Sequence, residues 1–439
     1  MSDTHAQTVP FVRESMLPPE APPASQRGAV KWVRENLLSS WLNILLTVLS
    51  ILAVWWIVAH IFPWAWFGIW DAGSLSECRA IRNEIYGEGA EVACWAVLTD
   101  RWHQLVFGFY RQHAGYWRPV LALVVFLVGI LPVLFTSLPR KLMILTALVP
   151  FICFWLIWGG TIWYPVTFIL GLVLGVAVYY FGRRAMAPTL AAIAGFVVAV
   201  LYFLFLQGTL SAELEGAIPL ALNQVPSRDI GGFTLSVIIG LAAIVLSLPL
   251  GILLALGRQS DMFLIQKASV VFIEVIRGVP LIVWLFTAQL LLNYFLPPGT
   301  NFDLTLRVII MVTFFSSAYI AEVVRGGLAA LPKGQYEGAD SLGLNYWQSM
   351  RLIVLPQALK ISIPGIVNTF IGLFKDTTLV LFIGLYDPLG MAGAIRATTD
   401  WNGIYWELFI FIGVMFFIAC FSMGRYSLYL ERKLRREHR

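Results

Sequence analysis

The strongest constraint on this chain is a succession of ten long apolar runs, roughly 42–62, 119–137, 142–158, 161–181, 188–208, 232–256, 270–296, 306–330, 357–385 and 404–428. A bilayer core of ~30 Å is crossed by a helix of ~20 apolar residues. The runs are continuous, as from Val120 to Leu134, where strands of a membrane barrel would alternate, so they read as helices. Of the 439 residues, 59% are apolar and 13% charged, with mean hydropathy +0.78. A soluble globule cannot hide that much apolar surface. An ordinary soluble enzyme and a disordered chain are excluded, and a polytopic all-α membrane protein is expected. The pI near 9.0 points to basic loops flanking a membrane rather than to nucleic acid.

Lys and Arg in short loops gather on the cytoplasmic side. With the N-terminus inside, that side holds Arg13, Arg27, Lys31, Arg34, Arg140, Lys141, Arg183, Arg184, Arg258, Lys267, Lys333 and Arg351, with six more from Arg425 to Arg439. The short outer loops hold only Arg228 and Arg396. Both termini are therefore expected inside. The organisation that follows is a cytoplasmic tail 1–38, five helices in 39–208 with an external loop 63–118, an external segment 209–231, five helices in 232–430, and a basic tail 431–439. The N-terminal stretch is polar, with Pro18-Pro19 and Pro22-Pro23, and no removable signal peptide is expected.

Cys78 and Cys94 share the external loop. They are a disulfide in an oxidising periplasm or two free thiols, and their common location favours the disulfide. Cys153 and Cys420 fall in apolar runs and read as small packing residues. The five histidines are scattered, so no metal site is expected.

The one long inner loop between helices, 331–356, has a shape of its own. Pro332 and Gly334 break the preceding helix. A short helix is expected over Gln335–Leu342, with Gly343 at its end. A second amphipathic piece is expected over Tyr346–Leu355, stopped at Pro356. Gly338 and Ala339 admit close approach of another surface, and Trp347, Met350 and Ile353 make a partly apolar face. The segment reads as a docking element, or else as a helix packed on its own membrane domain.

Glu337, Ala339, Gly343, Ile353, Leu355 and Pro356 stand in the spacing Glu-x-Ala-x3-Gly-x9-Ile-x-Leu-Pro, with Gly338 where a second Ala is usual. This resembles the membrane subunits of bacterial ABC importers. The stretches Glu274-Val-Ile-Arg277-Gly278-Val-Pro280, Ala318-Tyr319-Ile-Ala-Glu322-Val-Val-Arg325 and Lys375-Asp376-Thr377 are similar to the polar amino acid permeases. The external loop and the five leading helices are similar to the larger permease subunit of the general L-amino acid importers. The resemblance implies a type I, MetI-like permease core in the C-terminal five helices, with 331–356 as a coupling helix seated in an ATPase subunit. It implies a heterodimer with a second permease, two ATPase subunits that bind ATP and Mg, and a periplasmic amino acid binding protein. The location implied is a bacterial inner membrane.

Charges inside apolar runs are costly and mark function by default. Glu322 lies about nine residues from the cytoplasmic end of its run, ~13 Å deep at 1.5 Å per residue. It reads either as a carboxylate on the substrate path or as half of a structural pair with Arg325, one turn away. Arg325, Asn368, Lys375 and Asp376 are the other pathway candidates. Glu274, Arg277, Gly278 and Pro280 read as structural. No Gly-x4-Gly-Lys-Ser/Thr phosphate loop occurs, so energy must come from a partner, and no catalytic set is apparent. An importer of another solute and an ion-coupled secondary carrier are the alternatives. The latter tends to show broken helices in two related halves, and no such repeat is visible.

Overall fold

The computed structural model describes residues 28–110, 115–135, 138–291, 294 and 303–436. The Pro-rich stretch with Arg13 and Arg27, and the end of the basic tail with Arg439, lie outside them. By internal contacts the chain falls into two units, residues 1–69 with 82–93, and residues 70–81 with 94–439.

In the first unit, α1 (Gly28–Asn36) precedes α2 (Trp41–Trp66). Ser40 starts α2 by accepting from the Asn43 N–H at 3.2 Å. α2 is apolar all round, yet none of its 26 residues is buried. That combination suits a helix solvated by lipid.

The second unit opens with the first turns of α3 (Leu75–Tyr86) and with α4 (Ala96–Phe107). Four apolar helices follow: α5 (Trp117–Leu134), α6 (Met143–Trp158), α7 (Trp163–Gly182) and α8 (Pro188–Leu201). α8 runs through a π turn at Tyr202–Leu206 into α9 (Gln207–Ala217). Two-residue strands, β1 (Gly160–Thr161) and β2 (Ala221–Leu222), pair antiparallel. In lipid, helices associate by close packing rather than by hydrophobic collapse, so small residues mark their crossings. A Cβ on Gly195 of α8 would sit 2.6 Å from the Gly175 carbonyl oxygen of α7.

The rest comprises α10 (Gly232–Arg258), α11 (Phe263–Gly278), α12 (Leu281–Phe286, extended by a π turn to Leu291), α13 (Leu304–Ala329), α14 (Lys333–Ser341), α15 (Tyr346–Ser349), α16 (Leu355–Asp376), α17 (Pro388–Arg396) and α18 (Trp406–Arg436). α10 crosses α13 where a Cβ on Gly251 would lie 2.6 Å from Ile320. One buried cluster joins Leu235, Ile239, Leu285, Val308, Val312 and Leu373, and a second joins Ala255, Ile273, Ile320, Val324, Met350 and Val354.

Among the described residues, eight helices are long and apolar enough to cross a membrane, and α11 with α12 makes a ninth if counted as one bent span. The shorter Met143–Trp158 is also apolar. These account for the ten runs. Two expectations change. The run 270–296 is not one straight helix, because α11 and α12 meet at 103°. Val279 precedes Pro280 and is pushed into the extended region, φ −118°, ψ 135°, which ends α11. Pro356 does not stop a helix either: Tyr346–Ile383 continues through it. A π turn over Met350–Val354, closed by the Leu355 N–H on the Met350 carbonyl, shifts the register and starts a new α segment at Leu355. Pro356 then occupies a first-turn position, where no backbone donor is needed.

Candidate functional site

The short helix α14 stands where a docking element is expected. Its end is set by Gly343, whose φ of +69° only glycine adopts without strain. Asn345 and Gln348 form a capping box that restarts the chain as α15. Ala339 is fully buried against the protein's own core, whereas Glu337, Gly338 and Gly343 are exposed. Tyr336 anchors the helix in the inner cluster, and burial raises its phenol above the ordinary range, with Tyr346 adding to the rise. Leu342, Tyr346 and Trp347 are exposed beside it. Met350 turns inward, Ile353 is half-buried, and Leu355 and Pro356 begin α16. The outward surface is therefore a small-residue helix with two exposed carboxylates, Glu337 and Asp340, and an apolar rim.

Glu322 is the hub of an ion cluster built by three helices. Its Oε1 accepts from Arg258 Nη1 at 2.9 Å. Its Oε2 accepts from Arg325 at 3.0 Å and 3.1 Å, and lies 3.7 Å from Arg277 Nη1. Arg258 also holds Glu274 at 2.8 Å. Three guanidinium groups thus meet two carboxylates. Arg258, which closes α10, was not legible as a partner in the sequence, where it counts only as a loop charge.

One turn along α13, toward Leu304, Tyr319 lines a cleft between α13 and α16. Phe315, Ser316, Thr369, Gly372, Leu373 and Asp376 complete it, enclosing about 240 Å³. The Ser316 hydroxyl is buried with no hydrogen-bond partner. Asp376 is the pathway candidate that reaches this cleft. Lys375 and Asn368, on other faces of α16, are exposed. Adjacent residues on a helix cannot share a face, which separates Lys375 from Asp376. Gly278 and Pro280 form the bend between α11 and α12.

A second structured region lies at Cys78 and Cys94, which are joined with Cα atoms 6.2 Å apart. The Cys94 N–H donates to Glu407 Oε1 at 2.8 Å, and the buried Trp401 donates to Asp100 Oδ2 at 2.8 Å. The Leu75 N–H donates to the Asp400 carbonyl.

Membrane-length helices, with a partly buried ion cluster and a cleft that carries one carboxylate, fit a polytopic transport component. Residues 247–436 match the family described as binding-protein-dependent transport system inner membrane component. Over its whole length the chain is 56% identical to the glutamate/glutamine/aspartate/asparagine transport system permease protein BztC of Rhodobacter capsulatus, covering 100% of that protein. It is 37% identical to the inner membrane amino-acid ABC transporter permease protein YhdY of Escherichia coli, over 95% of this chain and 96% of that one. A crystal structure of an amino acid ABC transporter with histidines is 31% identical, covering 45% of this chain and 90% of its own, with a TM-score of 0.41. The chain belongs to the amino-acid ABC transporter permeases of the binding-protein-dependent family. It is a multi-pass inner-membrane transport subunit and not an enzyme, ATP hydrolysis residing in a separate subunit.

Proposed function

We propose that this permease imports polar and acidic L-amino acids as one half of a heterodimer with a second permease. A periplasmic binding protein delivers the substrate. Two ATPase subunits, which hold ATP and Mg, drive the cycle from the cytoplasm through 331–356. Both termini and this segment then lie inside, and the disulfide-bearing segment lies in the oxidising periplasm. The substrate class follows from the whole-length likeness to a permease whose name carries glutamate, glutamine, aspartate and asparagine. The observation that carries the coupling role is the outward face of α14, where Glu337 and Gly338 stand exposed beside Leu342 and Trp347.

The cleft at Tyr319 is the substrate passage in this reading. Its volume of about 240 Å³ lies below the ~300–1,000 Å³ of drug-sized pockets and suits a solute of amino-acid size. Asp376 is the carboxylate that meets the α-ammonium group. Glu322 has both oxygens engaged by arginines, which supports its structural alternative over the pathway one. Lys375, Asn368 and Arg325 are not among the residues that line it.

Gly343→Asp tests the coupling. The side chain meets no neighbour, but φ of +69° strains it and alters the end of α14. The expected result is normal membrane insertion with uptake by the assembled transporter reduced at least about tenfold, while ATP hydrolysis continues. A variant that transports at the wild-type rate overturns the docking role.

A further inference from the structure

We propose that Arg277 is a carboxylate subsite at the inner edge of the Tyr319 cleft, receiving the α-carboxylate of the amino acid as it leaves Asp376. The inference rests on the cleft being the substrate passage.

Three features single Arg277 out. First, it is the least committed of the three arginines around Glu322. Arg258 and Arg325 hold that carboxylate at 2.9 and 3.0 Å, whereas Arg277 stands at 3.7 Å, beyond hydrogen-bonding range. Second, its Nε is buried and has no hydrogen-bond partner. A buried guanidinium N–H left unpaired is expensive, and a second donor beside it is the fork that a carboxylate fills with two bonds. Third, its guanidinium lies over the ring of Tyr319, 5.3 Å from the centroid, and Tyr319 is itself a wall of the cleft. Arg277 is thereby placed at the cleft's edge and not only within the ion cluster.

The charge arithmetic agrees. Arg258, Arg277 and Arg325 carry three positive charges against the two of Glu322 and Glu274. One further anion neutralises the cluster. An amino acid brings a carboxylate a short distance from an ammonium group. Asp376 in the cleft and Arg277 beside its Tyr319 wall offer groups of opposite charge that the substrate meets in succession. Because Glu322 already draws weakly on Arg277, the substrate displaces a 3.7 Å contact rather than a strong one, so binding need not become a trap.

The test uses the assembled transporter with its partner subunits in detergent, without binding protein. Binding of radiolabelled L-glutamate, L-glutamine, L-aspartate and L-asparagine is measured. The tightest binder is then compared with its α-carboxamide, which keeps the ammonium group and loses the negative charge. The wild type is expected to prefer the acid by at least about tenfold, the worth of a charge-assisted hydrogen bond. Arg277→Gln should abolish the preference, and Arg277→Lys should keep part of it. The preference is a ratio within each preparation, so partial loss of folded complex does not alter it. Asp376→Asn should weaken acid and amide alike. If Arg277→Gln keeps the full preference, as it would were the spare charge met by a lipid phosphate, the subsite is wrong. If Asp376→Asn leaves both ligands unaffected, the cleft reading fails instead. Absence of binding by all four amino acids to the wild type overturns both.

Discussion

Glu322 sits among three guanidinium groups, and only Arg325 is near it in the chain. Arg258 and Arg277 arrive from α10 and α11, 64 and 45 positions away. The glutamate side chain is 17% exposed and the arginines 25–43%. The cluster is therefore partly wet, and its worth is discounted from that of a fully buried network. Glu322→Gln leaves three cations facing Glu274 alone, at a cost of roughly 1–3 kcal/mol. The expected outcome is a lower melting temperature of the purified complex, partly restored by adding Arg258→Gln, which removes one excess charge. A Glu322→Gln complex as stable as the wild type, with impaired uptake, returns the residue to the substrate path. Glu322 and Asp376 were legible in the sequence because a charge in an apolar run stands out. Ser316 and Tyr319 were not, because a hydroxyl and an aromatic are ordinary in such a run. Only the packing of α13 on α16 gives them a common cleft.

At the scale of elements, helices were legible where apolar content continues, and bends were not. The break at Gly278–Pro280 carries a proline signal that apolar content outweighed, and the π turn before Pro356 leaves no mark of its own. α17 illustrates a start signal that also stores charge chemistry. Asp387 caps it, accepting from the Gly390 N–H at 2.9 Å and the Leu389 N–H at 3.2 Å. The residue lies outside the spans and is fully buried. Burial raises its carboxyl to about 6, against the pull of those N–H donors. The unfolded group titrates near ~3.9. Below about pH 4 the group is protonated in both states and costs nothing. As the pH rises through about 6, the folded state must hold a buried charge, and stability is lost, by roughly 2–3 kcal/mol at 1.36 kcal/mol per unit. Asp387→Asn keeps a side-chain acceptor without that charge. Melting curves from pH 4 to 7 should show the wild type falling relative to the variant across that window. Parallel curves would remove the charge from the account.

At the scale of the whole molecule, the segment that holds the disulfide is tied to residues some three hundred positions later in the chain. Cys94 donates to Glu407, Asp100 accepts from Trp401, and Leu75 donates to Asp400. These ties fasten α4 beside α17 and the start of α18. None was legible, because hydrogen bonds across such separations leave no local pattern. The disulfide fixes the geometry of the whole brace, since Cys94 is both a bridge half and the donor to the buried Glu407. Closing a loop of this length constrains the unfolded chain by about 3 kcal/mol. Cys78→Ala with Cys94→Ala should therefore lower the melting temperature of the assembled transporter by several degrees. A maleimide applied to intact wild-type protein should label neither cysteine before reductant is added. If the double variant melts with the wild type, the brace rests on the hydrogen bonds alone. If both thiols label without reductant, the bridge is absent and Cys94 meets Glu407 unaided.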